Sequence, residues 1–353
     1  MSMCKKQMSF FCSANKNRKL KNVSKPEGFN HFMLKEILDL SQVLRTNFSF
    51  YSSNKTQSYE FRGMLKNSDR VQIFASNDML CVAKFCKKYL ESKIDGVVEV
   101  LKYEDKNEQK ISKNKNDISI FFISCKDLKN NKKEVEKNIK MVSTKKVVFV
   151  SNEILKNYDA DIVFPIFVEK ENIDIFTKTY LSFCFVFMMV SFDKDEEKIK
   201  GLFESLDDFD IMPIVNFAKK LSTSKNFSII GNNIFCSAFV LWYFKNLTTI
   251  NVSIKSDIGK AKEEILKNVY SFLVKDEKSL SFFKGDSFCL NNLGIEYLSL
   301  ITIGGEEKEL EKSLIIKTNK ELGDFSEILF VFYIQLITFY VAIFQGINPD
   351  LKS

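Results

Sequence analysis

Between residues 70 and 167 the chain alternates two apolar patterns. RVQIFASND (70–78) runs into the helical spacing of MLCVAKFCKKYLES (79–92), and the β-rich VVEVLKY (97–103) follows. Beyond a lysine- and asparagine-rich loop at 106–117, DISIFFIS (117–124) is a continuous β-branched and aromatic run without alternation. Such a run predicts a strand buried on both faces of a parallel sheet. KKVVFVSN (145–152) and DADIVFPIF (159–167) repeat it before the apolar helix TYLSFCFVFMMVSF (179–192). Strands alternating with helices predict a doubly wound α/β sheet. The order then recurs: NFSIIGNN (226–233), helix IFCSAFVLWYFKN (234–246), TTINVSIK (248–255), NVYSFLV (268–274), EYLSLITIGG (296–305), KSLIIKT (312–318) and the apolar helix ILFVFYIQLITFYVAIF (328–344). The chain reads as one nucleotide-fold-like unit duplicated, by pattern rather than by identity.

Ahead of the first unit, residues 1–27 carry several lysines and no acid before Glu27, which predicts a basic flexible leader. Phe29, Met33, Ile37 and Leu40 then recur at helical spacing. The expected division is the leader at 1–27, opening helices at 28–60, a first domain at 61–205, a second at 206–345 and a short tail at 346–353. The run at 179–192 is too short to span a bilayer, and that at 328–344 is about 17 residues long and carries Gln335 and Thr338. Both are expected to be buried core helices, with no membrane partner.

A length of 353 residues suits two domains, and 45% hydrophobic residues are enough to fill their cores. Eight cysteines are scattered without a CxxC pair, mostly in apolar stretches, as expected of reduced thiols in a cytoplasmic protein without a zinc site. His31 is the single histidine, so no histidine cluster exists to complete a metal shell, and neither metal nor cofactor is implied. The formal charge is +7, yet only Arg18, Arg45, Arg62 and Arg70 are arginines, and the lysines are interleaved with acids. A nucleic-acid binder concentrates basic residues on one face and favours arginine for bidentate contacts, so that partner class is excluded.

The stretch around the histidine, EGFNHFMLKEIL (27–38), is similar to the opening of the isomerase half of the glutamine:fructose-6-phosphate amidotransferase (glucosamine-6-phosphate synthase) family. That half consists of two sugar isomerase (SIS) domains. The ending YIQLITFYVAIFQGINPD (333–350) resembles the family's last helix, and EKENIDIFTK (169–178) keeps Glu171, Thr177 and Lys178 of its ExxVASTK motif. The resemblance covers residues 28–350 and implies two tandem SIS domains, each a parallel sheet flanked by helices, paired as a homodimer. It gives His31 a packing or capping role. The family's glutaminase half, with its nucleophilic cysteine, has no counterpart here; Cys4 is not the second residue.

In the family a CGTS turn after the first strand and an SQSGET loop after the third hold the phosphate. Here the first turn starts at Ser76 and continues Asn77, Asp78, and the second reads SCKDLK (124–129), keeping Ser124 but bringing in Lys126, Asp127 and Lys129. Asp78 and Asp127 would stand beside a dianionic group, and two such charges about 4 Å apart repel by roughly 4 kcal/mol at an effective dielectric of about 20. Lys126 and Lys129 would partly compensate; the alternative is a solvated loop without ligand. The resemblance thus marks Ser76, Ser124, Lys126, Lys129, Thr177 and Lys178 as ligand-binding.

Isomerisation requires a proton-transferring base, and in this family also a Schiff-base lysine. The stretch matching the family's ALKLKEIS is YFKNLTTI (243–250), which keeps Lys245 but has Thr248 at the glutamate position. A threonine is no base at neutral pH. The position of the ELKHGP histidine falls near GKAKEE (259–264), which has none. The ending NPDLKS offers Lys352 as an echo of the family's tail lysine. Lys245, Glu171 and Lys352 are therefore the catalytic candidates. Two functions are expected: a sugar-phosphate-binding or scaffold protein with its chemistry lost, binding fructose-6-phosphate or glucosamine-6-phosphate and pairing with itself or an active relative; or an active isomerase/aminotransferase subunit making glucosamine-6-phosphate without its own glutaminase domain.

Overall fold

The computed structural model describes residues 31–103, 112, 114, 116–130, 132–151, 158–169, 171, 175–192, 195–223, 225–230, 237–255, 273–274, 298–301, 313–316 and 322–350. Three helices open it: α1 (Phe32–Leu38), α2 (Leu40–Ser53) and α3 (Thr56–Lys66). The first unit follows as β1 (Arg70–Ala75), α4 (Leu80–Glu91), β2 (Val97–Lys102), β3 (Ile118–Ile123), α5 (Cys125–Asn130), α6 (Lys132–Met141), β4 (Lys145–Ser151), β5 (Ile162–Ile166) and α7 (Lys178–Ser191). Its strands form one parallel sheet in the order β2-β1-β3-β4-β5.

Successive side chains of a strand point to opposite faces. Ile120 and Phe122 of β3 accordingly join the core built with α3, α4 and α7, while Phe121 and Ile123 pack with Val135 and Ile139 of α6 on the other face. A strand covered on both sides needs apolar residues at every position, which is why 117–124 shows no alternation. Phe74 of β1 and Phe121 of β3, paired in the sheet, stack at 4.7 Å.

The second unit runs α8 (Glu196–Asp207), α9 (Ile211–Leu221), β6 (Asn226–Ile230), α10 (Ser237–Leu247), β7 (Asn251–Lys255), β8 (Leu273–Val274), β9 (Leu298–Ile301), β10 (Ser313–Ile316) and α11 (Ser326–Phe344). β6 pairs parallel with β7, and β8, β9 and β10 pair parallel in that order. With β6 lying against β8, the sequence of neighbours repeats that of the first sheet. The predicted α/β fold is the fold observed: a five-stranded parallel sheet flanked by helices, followed by parallel sheets of two and three strands that lie side by side.

Both long apolar helices are interior. Every residue of α7 is buried, between α2, α3 and α4 on one side and α11 on the other. A helix apolar all round has no solvent face to offer. The helical stretch Gly323–Phe344 is long and apolar enough to cross a membrane, and here it is packed among α1, α7, α9 and α10. It stops at Gly346, whose φ of 75° suits a residue without Cβ. Ile347 N–H donates to Ala342 O and Gly346 N–H to Ile343 O, a Schellman ending.

This ending turns the chain so that Asp350 reaches α1, 317 positions away, where its carboxylate accepts from Met33 N at 2.8 Å and Phe32 N at 3.2 Å. Asp350 therefore caps α1 from a distance. His31 stands beside it, Nδ1 3.3 Å from Asp350 Oδ2, with its ring edge on Phe339. The sole histidine belongs to this junction. Asp350 is partly buried, which by itself raises its pKa; its contact with His31 and the hydrogen bonds from Met33 and Phe32 outweigh that and hold it below the ordinary value.

Two boundaries differ from expectation. SCKDLK folds into α5, because Ser124 and Asp127 cap its first turn. Helix α10 runs to Leu247, so β7 starts at Asn251 and not at Thr248. The leader, residues 259–264 and Lys352 lie outside the described residues.

Candidate functional site

All five strands of the first sheet run parallel, so β1, β3, β4 and β5 deliver their C-terminal ends to one edge. The connections of β1 and β3 leave toward opposite sides of the sheet, and ligands of open α/β sheets settle at such a switch point. Ser76 follows β1 and Ser124 follows β3; both are buried. What fills the space between them is Asp127, itself only 2% exposed. Its Oδ2 accepts from Ser124 N and Ser124 Oγ, both at 2.7 Å, and the Ser76 hydroxyl, which accepts from Met79 N, stands beside the same carboxylate. Burial pushes the Asp127 pKa up; Ser76 and the hydrogen bonds from Ser124 counter that, and the nearby Asp78 adds to the rise.

Beside this cradle, over β3, β4 and β5, a pocket opens. Cys125, Lys126 and Lys129 line one side, Ser151 the floor, and Glu169, Glu171, Phe176 and Thr179 the other. Because Lys126 and Lys129 are three residues apart in α5 they share a face, and Asp127 between them points away into the cradle. The Lys126 ammonium lies 4.3 Å from the centre of the Phe176 ring, a cation–π contact.

Glu171 is 6% exposed. Its Oε1 accepts from Thr177 N and Thr177 Oγ1, both at 2.9 Å, and from Thr179 N at 3.2 Å, at the positive end of α7. Oε2 has no hydrogen-bond partner among the described residues. Burial raises the Glu171 pKa and the Glu36 carboxylate raises it further, against the three hydrogen bonds. A buried carboxylate of raised pKa in a pocket can accept a hydroxyl hydrogen bond or exchange a proton.

Under this floor, Lys178 makes a buried ion pair with Glu36 of α1. Burial alone would lower the Lys178 pKa, but Glu36, Glu171 and Asp39 together raise it above its ordinary value. The head of α7 is also tied to the second unit. Tyr243 Oη donates to Phe176 O at 2.8 Å, and Gln335 Nε2 donates to Tyr243 Oη at 2.7 Å and Thr177 O at 3.2 Å. Neither Tyr243 nor Gln335 stands out in the sequence, since each sits in an apolar run where a polar group reads as an accident of packing.

The sequence-derived residues thus fall into groups. Ser76 and Ser124 meet around Asp127; Lys126, Lys129 and Glu171 share the pocket; Thr177, which holds Glu171, and Lys178, which pairs with Glu36, are both outside the pocket lining. Lys245 is exposed on α10 and is not among the pocket-lining residues. Thr248 is buried with its hydroxyl spent, donating to Phe244 O and accepting from Ile250 N.

No family model matches the chain, and no curated protein matches it. Solved structures do. The C-terminal domain of glucosamine-fructose-6-phosphate aminotransferase from Francisella tularensis is 14% identical, with a TM-score of 0.67 over 93% of this chain and 100% of that one. Tagatose-6-phosphate ketose/aldose isomerase from Escherichia coli is 11% identical, with a TM-score of 0.70 over 91% and 95%. Glucosamine-6-phosphate deaminase from Thermotoga maritima is 16% identical, with a TM-score of 0.60 over 90% and 96%. At these identities the likeness establishes the SIS-type α/β fold, which the chain shares with them over nearly its whole length.

Proposed function

We propose that this protein binds a phosphosugar in the pocket at the edge of its first sheet and does not turn it over. The observation that carries this reading is the pairing of Lys126 and Lys129 with Glu171, whose buried Oε2 is unpartnered among the described residues, on opposite walls of one pocket. Two lysines suit a phosphoryl group, and a carboxylate oxygen accepts from a sugar hydroxyl. The names of the three structural neighbours above, each concerned with a sugar phosphate, support the ligand class, with fructose-6-phosphate and glucosamine-6-phosphate as first candidates. Silence is proposed because Thr248, at the position of the family's base, offers only a hydroxyl already engaged by the backbone. Units at 61–205 and 206–345, pairing as a homodimer or with an active relative, and a cytoplasmic setting belong to the same proposal.

A second reading, an active isomerase or aminotransferase subunit, draws on Glu171, whose raised pKa and unpartnered oxygen fit a general base. Melting the protein with each sugar phosphate, with inorganic phosphate and with fructose tests binding. Ligand at about 100 times its dissociation constant adds roughly 2.7 kcal/mol, a shift of several degrees. The shift is expected with the sugar phosphates and lost in Lys126→Ala/Lys129→Ala; no shift with any of them refutes the reading. Glucosamine-6-phosphate formed from fructose-6-phosphate and ammonia would establish the second reading instead.

A further inference from the structure

The switch point between β1 and β3 is where an open α/β sheet ordinarily receives its ligand, and here the serines that face it are engaged by one anion of the chain itself. Ser124 N–H and Ser124 Oγ–H converge on the Asp127 carboxylate, and Ser76 stands beside it. Part of this is helix capping: Ser124 Oγ also accepts from Asp127 N at 3.3 Å, the reciprocal arrangement of a capping box. Capping alone does not require what else is seen. Capping carboxylates ordinarily stand in water, whereas Asp127 is 2% exposed, lies beside a serine of a different connection, and has Asp78 close enough to disfavour its charge.

We propose that Asp127 is a built-in anion that closes the switch point to phosphoryl groups, making it the residue that decides where a ligand's charged end can lie. A phosphoryl group entering the cradle would have to displace a carboxylate holding both Ser124 donors and then face the charge of Asp78. The charged end of a ligand is thereby left to Lys126 and Lys129, a consequence that rests on the pocket proposed above; the closure of the cradle does not.

Inorganic phosphate is the probe, because it needs no sugar pocket. Titration calorimetry on the full chain should show phosphate binding to Asp127→Ala, or to Asp127→Ser should the alanine variant not fold, roughly ten-fold or more tighter than to the unaltered protein. Adding Ser124→Ala should erase the gain, and Asp127→Asn, which keeps the volume and removes the charge, should show little of it. In the unaltered protein the Ser124 amide resonance should stay in place at saturating phosphate. The proposal is overturned if a folded Asp127→Ala or Asp127→Ser variant, with Asp78→Asn added to remove the second charge, gains no affinity, or if phosphate shifts the Ser124 amide of the unaltered protein. Failure of the sugar-phosphate melts with success here would remove the pocket reading and leave the closure standing.

Discussion

The cradle and the pocket lie side by side on one sheet edge and are made in part by the same six residues, 124–129, yet they are opposites. In the cradle a carboxylate and its donors satisfy one another. In the pocket a carboxylate is held by one oxygen and left unpartnered at the other, across from two lysines. Helical geometry makes this possible, since Lys126 and Lys129 share a face that Asp127 does not. A site built of donors alone is neutralised by one acid placed at its centre, while a site with charges on separate walls keeps a space between them.

The strongest way to break the contrast is from beneath the pocket. Lys178→Met leaves Glu36 buried without its partner, and breaking such a pair costs about 3–5 kcal/mol. A lowered denaturation midpoint, with the cradle still closed to phosphate, is the expected result. A smaller effect separates the carboxylates by pH. Glu171 and Asp127 both have folded pKa values above their ordinary ones, so the folded state holds their protons more tightly and stability falls as pH rises through the window from the ordinary to the raised value. Glu171→Gln removes that fall. Its stability relative to the unaltered protein should therefore rise with pH, by about 1.4 kcal/mol for each pH unit that the window spans, and level off above it. Asp127→Asn should follow the same sign. The smallest effect is that of Ser76→Ala, which removes the buried hydroxyl that accepts from Met79 N beside Asp127 and should cost about 1 kcal/mol in chemical denaturation without altering sugar-phosphate affinity.

Much of the fold is legible in the sequence because burial leaves a direct trace: 118–123 is apolar at nearly every position and 147–150 at each one, since helices cover both faces of their sheet. Helices α8 and α9 do not stand out in the same way, although Asp195 and Asp210 cap them through Glu197 N and Met212 N, since an isolated acid carries the same letter whether it caps or is solvated. The site is half legible. Ser76, Ser124, Lys126, Lys129 and Glu171 can be picked out, and Asp127 is recognisable as hostile to phosphate. That its carboxylate turns inward and occupies the cradle depends on α5 forming where a loop is expected, which six residues of mixed polarity do not announce. Tyr243 and Gln335 act across 67 and 158 positions of chain, a relation no local pattern encodes.

The most direct test of the contrast is the position of phosphorus in crystals grown with fructose-6-phosphate. The account predicts it between Lys126 and Lys129 with Asp127 still bonded to Ser124; phosphorus seated between Ser76 and Ser124, with Asp127 turned out, would contradict it.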